Sequence, residues 1–441
     1  MLRDTICAIS TPLQDGAIGI IRVSGDDAIE IVNHFFDKDL TTVHSHTITY
    51  GNIIEDTEII DEVLVSVFRA PKTYTRENLV EINCHGSVYV IRKVLSLCLT
   101  NGARQALPGE FTQRAFLNGR IDLTQAEAVN DIVRSNNDKQ AKLAIKGLKG
   151  SIARLLNPLL DDMLNIIANI EVNIDYPEYE DIKMLTNDLV LPSLLDWQKR
   201  LQIIIKKAEN GRIINHGVKT VIIGEPNVGK SSLLNALLEE DKAIVTDLPG
   251  TTRDLVEGII QLDNITLHLI DTAGLRETTD VIEQIGIERT LKAVEQAELV
   301  IIVIDATKEL SHYEQELILK TADKKQIVVY NKKDLSNIED KISISALYND
   351  IKPLIDVIES LFAQQMMVIN EDILNNERQI ALAKKALDFI DQAINSVNNG
   401  LELDLTIIDI ELAYQALKAI LGEVNQEDLL DTLFSNFCLG K

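Results

Sequence analysis

The segment Gly224-Glu225-Pro226-Asn227-Val228-Gly229-Lys230-Ser231 constrains this chain more than any other. It follows the β-branched run 220–223 and precedes a helix-like stretch, 232–238. A strand, a Gly-bounded turn and a helix in that order aim backbone amides and a helix N-terminus at one point, which suits a phosphate. Val228, Gly229 and Ser232 complete the cradle, Lys230 is placed to neutralise β and γ oxygens, and Ser231 to reach Mg²⁺ through its hydroxyl. Apolar runs at 220–224, 267–274, 299–307, 326–334 and 341–347 alternate with helix-like stretches, which predicts a mostly parallel sheet.

Three further elements follow in order. Asp271-Thr272-Ala273-Gly274 ends an apolar run, so that Asp271 can hold the ion through water and the Gly274 amide can meet the γ-phosphate. In Asn331-Lys332-Lys333-Asp334, Asp334 can accept from the two-position amino group and ring N–H of guanine. Asn331 steadies that loop, Lys332 covers the ring, and in Ser345-Ala346 the Ala346 amide is suited to the guanine carbonyl. Adenine presents the wrong donors, so this set selects GTP over ATP. Between the loop and Asp271 lies Thr246-Asp247-Leu248-Pro249-Gly250-Thr251-Thr252, read as a switch in which Thr252 caps Mg²⁺ and senses the γ-phosphate.

The hydrolytic group is less plain. Leu275 stands where Ras-like enzymes position water with glutamine, and leucine can neither donate nor accept. An acid nearby must act, and Glu277, Asp280 and Glu283 all remain open on the residues alone. Positive charge for the transition state has two sources. Asn227 offers a hard oxygen to a monovalent cation, or merely ties the loop; Arg253 and Arg276 are candidate fingers.

The chain of 441 residues is long enough for about three domains. Its 43 basic and 68 acidic side chains leave a net charge of −25, which excludes a generally basic nucleic-acid coat but not a local basic patch or an RNA contact made through a partner. Cys7, Cys84, Cys98 and Cys438 are too few and scattered for a disulfide framework, the opening residues lack an export core, and the apolar runs are strand-sized. These features predict a soluble, cytoplasmic protein with no membrane role. Residues 1–118 read as mixed α/β, 119–216 as long helices interrupted at Pro158 and closed by Gly211 and Gly217, 217–368 as the inserted α/β domain, and 369–441 as a return to amphipathic helix. Cys84-His85 reads as no metal pair, with His85 satisfying a local backbone acceptor.

With these motifs stand the segments 4–12, 17–25, 107–129, the run 271–289 and the terminal Cys438-Leu439-Gly440-Lys441. Together they resemble, over essentially the whole chain, the MnmE (TrmE) family of bacterial GTPases that modify uridine in tRNA. The resemblance implies an N-terminal tetrahydrofolate-binding and dimerisation domain, a discontinuous helical domain and an inserted Ras-like G domain. It implies a homodimer working with a MnmG-like protein that carries FAD, and adding a carboxymethylaminomethyl or aminomethyl group to C5 of the wobble uridine. One-carbon folate, as 5,10-methylene- or 5-formyl-tetrahydrofolate, would supply the methylene, and glycine or ammonium the amine. By the same resemblance Glu283 is the catalytic carboxylate. Potassium ligands fall on Asn227, Thr246, Leu248 and Thr251, magnesium ligands on Ser231 and Thr252, and folate contacts on Arg22, Glu81 and Arg120. Cys438 is either a thiol packed at a helix end or, as in the family, a group facing the folate region with a role in tRNA modification. A G domain alone would serve a ribosome-associated or assembly GTPase, or a folate-binding regulatory switch, equally well; the N-terminal segments and the terminal motif favour tRNA modification.

Overall fold

Alternating apolar residues build a sheet near the N-terminus, because a strand sends successive side chains to opposite faces. The computed structural model describes residues 4–135, 137–175, 187–239, 258–262, 265–270, 293–336, 338–366, 371–423, 433–434, 437 and 440. The chain divides into two compact units: Met1–Asn136, Ala144–Trp197 and Lys385–Lys441 form one, Asn137–Leu143 and Gln198–Lys384 the other.

The first unit opens with β1 (Ile6–Ile9), β2 (Ile18–Ser24), α1 (Ala28–Asn33), β3 (Thr47–Glu55), β4 (Glu58–Phe68), β5 (Leu79–His85), α2 (Val88–Thr100), β6 (Arg104–Gln105) and α3 (Glu110–Leu117). The strands pair in the order β3-β4-β5-β2-β1-β6. Alternate residues Ile21 and Val23 of β2 and Val80, Ile82 and Cys84 of β5 enter a core with Ile91, Val94, Leu97 and Cys98 of α2. Each such apolar side chain contributes about 1.5–3 kcal/mol by leaving water.

Arg114 of α3, 2% exposed, holds this unit's polar interior together. It donates to the Asp4 carbonyl at 2.7 Å, the Asp4 carboxylate at 2.8 Å, Glu77 at 3.2 Å and Glu110 at 3.0 Å. Glu110, 1% exposed, also receives Arg104 at 2.6 Å. Burial alone pushes the Glu110 carboxyl up, but hydrogen bonds from Arg104, the Leu107 amide and Arg114 outweigh it and leave the group below the ordinary glutamate range. A depressed folded value means this stabilisation stands in full above the ordinary range and is lost as pH falls through the lowered value.

Helices follow: α4 (Leu123–Arg134), α5 (Asp138–Leu148), α6 (Ser151–Asp175) and α7 (Asn187–His216). Asp122 caps α4 through a capping box with Gln125. Two expectations are corrected here. Pro158 does not interrupt α6, which runs through it. The buried stripe Leu156, Leu159, Met163, Ile167 and Ile170 outweighs one missing backbone bond. Gly211 lies inside α7 rather than closing it, because a Cβ there would meet Ile373 Cδ1 at 2.3 Å. Gly217, in left-handed backbone at φ 66°, follows the last residue of α7. The lone tryptophan, Trp197, is 1% exposed and donates its indole N–H to the Leu159 carbonyl at 2.9 Å, joining α7 to α6 within the first unit.

In the second unit β7 (Val218–Ile223), α8 (Lys230–Glu239), β8 (Gly258–Gln261), β9 (Thr266–Leu269), β10 (Leu299–Asp305), α9 (His312–Lys320), β11 (Lys325–Asn331) and α10 (Lys352–Met366) are in chain order. The sheet order is β11-β10-β7-β9-β8, with β8 antiparallel to β9 and the other described pairs parallel. Leu299, Ile301 and Val303 of β10 share a core with Leu233 and Leu237 of α8 and Phe362 of α10. Val300, Ile302 and Ile304 face the other way, toward Leu317 of α9. Burial on both faces explains why this strand reads as an unbroken apolar run. The run 341–347 does not form a strand among the described residues; it makes an isolated parallel bridge, Tyr330 with Ser343, and a 3-10 turn, Ala346–Tyr348. Two helices remain, α11 (Glu377–Asn398) and α12 (Leu403–Leu421). Among the described residues no helix is long and apolar enough to cross a membrane.

Replacing Arg114 by Met leaves Glu110 buried with a weakened set of donors. We expect Arg114→Met to destabilise the first unit by about 3–5 kcal/mol in chemical denaturation, and Glu110→Gln in that background to recover part of the loss. A single variant as stable as the parent would contradict the role given to this cluster.

Candidate functional site

The phosphate loop springs from β7, inside the sheet, and ends at the first residue of α8. Left-handed backbone recurs along it, at Asn227 (φ 64°) and Gly229 (φ 98°). Alternation of this kind turns consecutive amides to one side, the geometry of an anion nest. A Cβ at Gly229 would lie 2.2 Å from Asn331 Nδ2, so only glycine admits the neighbouring loop. Lys230 Nζ donates to the carbonyls of Gly224 at 2.9 Å and Glu225 at 2.7 Å, which curls the loop around its ammonium. Burial lowers the pKa of that ammonium, while the Glu225 charge opposes the shift. Val228 is buried, and Ser231 and Ser232 occupy the first turn of α8.

Asn331, at the end of β11, joins two loops. Its Nδ2 donates to the Val228 carbonyl at 2.9 Å, and its Oδ1 accepts from the Ala346 amide at 3.0 Å. Ser345 Oγ donates to Asp334 Oδ1 at 2.5 Å, fixing the carboxylate while its other oxygen remains as an acceptor. Val228, Gly229, Lys230, Asn331, Asp334, Ser345 and Ala346 are therefore brought into one neighbourhood. Lys332, in left-handed backbone at φ 70°, pairs with Asp305 at 2.5 Å. Burial raises the Asp305 carboxyl, but hydrogen bonds from Lys332 and Thr307 outweigh it and bring the pKa down to about 2. Sequence reasoning missed Asp305, although an acid at the carboxyl end of a strand run is a visible signal, since ligands of open α/β sheets gather there.

Thr246, Asp247, Leu248, Pro249, Gly250, Thr251, Thr252, Arg253, Asp271, Thr272, Ala273, Gly274, Arg276, Glu277, Asp280, Glu283 and Cys438 lie outside the described residues.

On the first unit, Arg22 and Glu81 are cross-strand partners on β2 and β5, and Arg22 Nη2 donates to Glu81 Oε1 at 2.7 Å. The Arg22 guanidinium stands 5.7 Å from the Tyr74 ring centre and that of Arg120 stands 4.7 Å from it. Arg22, Glu81 and Arg120 thus meet around Tyr74, a residue the sequence reading passed over; an aromatic in a Thr- and Lys-rich loop was its one signal. The Gly440 carbonyl accepts from Arg22 Nη1 and from Ser10 Oγ, each at 3.3 Å. Gly440 therefore lies beside Arg22 of β2 and Ser10, just after β1. His85 differs from expectation. Its Nδ1 meets the Asp61 carboxylate at 2.6 Å rather than a backbone acceptor, because β4 and β5 place that acid across from the strand end.

A mixed sheet with a central strand feeding a Gly-Lys-Ser loop, and a base loop anchored to it through Asn331, defines a P-loop GTPase. Two family models match the chain, one described as the MnmE helical domain over residues 123–438 and one as the GTP-binding protein TrmE N-terminus over residues 5–120. A tRNA modification GTPase MnmE from Streptococcus thermophilus is 49% identical, with 99% of this chain and 98% of the relative covered. One from Lactococcus lactis subsp. cremoris is 46% identical with the same coverage. The G domain of the T. maritima FeoB iron transporter is 25% identical over 34% of this chain and 98% of that one, with a TM-score of 0.25. The chain belongs to the MnmE family of tRNA modification GTPases.

Truncating Asn331 would orphan the buried Val228 carbonyl and Ala346 amide, each costing about 1–3 kcal/mol. Asn331→Ala should weaken GTP and GDP binding at least about tenfold, or about 1.4 kcal/mol, in equilibrium titration with helix content unchanged by circular dichroism. Parental affinity would show that the two loops are held by something else.

Proposed function

We propose that GTP hydrolysis in residues 217–368, set between helical parts 119–216 and 369–441, drives a rearrangement that serves modification of C5 of the wobble uridine. In this reading the chain is cytoplasmic, dimerises through residues 1–118 and works with a MnmG-like partner that holds FAD and meets the tRNA. The observation that carries the reading is Asn331, which couples the base-reading loop to the phosphate loop in a chain related over its whole length to tRNA modification GTPases.

The chain's own residues divide the work. Asp334 accepts from guanine while Ser345 holds it, and the Ala346 amide, bonded to Asn331 Oδ1, would have to share its hydrogen with the base carbonyl. Val228, Gly229, Lys230 and Ser232 line the phosphates, joined by Asp247, Pro249, Gly250, Thr272, Ala273 and Gly274. Glu283 orients the attacking water through a second water rather than by taking its proton outright. Magnesium supplies positive charge to the phosphate oxygens when bound; the hydroxyls of Ser231 and Thr252 are hard oxygens suited to it, with Asp271 acting through water. Asn227, turned into left-handed backbone within the loop, fits a potassium ion together with Thr246, Leu248 and Thr251, all through neutral oxygens. On the first unit, Glu81 retains an oxygen beyond the one bonded to Arg22 and can accept from a pterin, with Arg22 and Arg120 for carbonyl or anionic groups of tetrahydrofolate. Cys438 belongs to the modification step and not to hydrolysis.

Glu283→Ala should lower single-turnover hydrolysis about 10²-fold, or about 2.7 kcal/mol, with GTP affinity changed less than about threefold. Mass spectrometry of wobble nucleosides in cells carrying that variant alone should show loss of the modification; parental hydrolysis or intact modification would overturn the assignment.

Turnover should also rise strongly when potassium replaces sodium at equal ionic strength, and Asn227→Ala should remove most of the difference. Equal rates in the two salts would return attention to Arg253 and Arg276.

A further inference from the structure

A cavity of about 500 Å³ opens on the first unit, walled by His46, Phe68, Lys72, Tyr74, Arg76 and Arg120. Its charged walls are all basic, in a chain whose net charge is −25. Arg76 Nη1 donates to the Asn118 carbonyl at 2.8 Å and Arg120 Nη1 to the Tyr74 carbonyl at 3.0 Å. Carbonyls orient the two guanidiniums without neutralising them, and among the described residues neither they nor Lys72 form an ion pair. His46 (φ 64°) and Arg76 (φ 61°) both hold left-handed backbone, which costs a side-chain-bearing residue roughly 1–2 kcal/mol. Strain retained at two walls of one cavity marks a place where geometry matters more than local stability. The volume suits a small molecule, and uncompensated cations ask for one with several oxyanions.

We propose that this cavity receives the poly-γ-glutamyl tail of tetrahydrofolate, with Lys72 and Arg76 pairing successive tail carboxylates. The proposal rests on the folate reading of Arg22, Glu81 and Arg120, and extends it. Arg120 belongs to both places: it lines the cavity and stacks on Tyr74, whose ring also carries Arg22. Each further γ-glutamyl residue adds one carboxylate, so affinity should climb with tail length and the climb should shrink in salt.

The test is equilibrium titration of the full chain with mono- and triglutamyl 5-formyltetrahydrofolate at low and high salt. The triglutamate should bind at least tenfold more tightly at low salt. The double variant Lys72→Ala, Arg76→Gly should bring that ratio below twofold, glycine being at ease in the backbone of position 76. Lys72→Arg should keep the ratio, and Glu81→Ala should weaken both ligands while leaving it. Equal affinity of the two forms, or a ratio unchanged in the double variant, would overturn the tail assignment and leave the folate site standing. Failure of the parent to bind either form would remove the folate reading and this proposal with it.

Discussion

The bridge made by Asn331 is the contact on which the nucleotide site depends. One buried amide spends its donor on the phosphate loop, at Val228, and its acceptor on the base loop, at Ala346. Neither oxygen nor nitrogen can be given up without orphaning a buried backbone group. The bridge also explains Gly229, whose missing Cβ is the space that Asn331 occupies. The loop at 224–231 and the loop at 345–346 are thereby tied to each other through one side chain. Parallel strands β7, β10 and β11 make this possible by delivering both loops to the same edge of the sheet.

The first unit is organised by a different principle. Arg114 gathers Asp4, Glu77 and Glu110 from three separate stretches of chain, so a buried cation arranges acids that would otherwise repel. Arg22 repeats the device at the surface, between Glu81 of β5 and the carbonyl of Gly440. Beside it the signs reverse, and among the described residues Lys72, Arg76 and Arg120 form no ion pair with an acid. A strongly acidic chain repels anions in general; a local concentration of unpaired cations is then selective as well as attractive.

Much of this was legible in the residues. Loop, strand runs and helical spacing identified the α/β region, because a fully buried parallel strand must be apolar throughout and β10 is. Pro158 and Gly211 misled for one reason: each has a strong local preference, and each sits in a helix whose apolar stripe or close neighbour overrides it. His85 misled because its partner, Asp61, is distant in sequence and adjacent only through strand pairing.

By itself the sequence determined the class of chemistry: a Gly-Lys-Ser loop between strand and helix, an Asn-Lys-Lys-Asp segment after a later strand, and helix-rich stretches on either side of a sheet, all consequences of local spacing and side-chain type. Tertiary structure alone decided the couplings. That Asn331 meets Val228, that Lys332 meets Asp305, and that Arg22, Tyr74 and Arg120 converge are facts of long-range closure. Hydrogen bonds and ion pairs act over a few ångströms, and only folding brings residues so far apart in the chain within that reach.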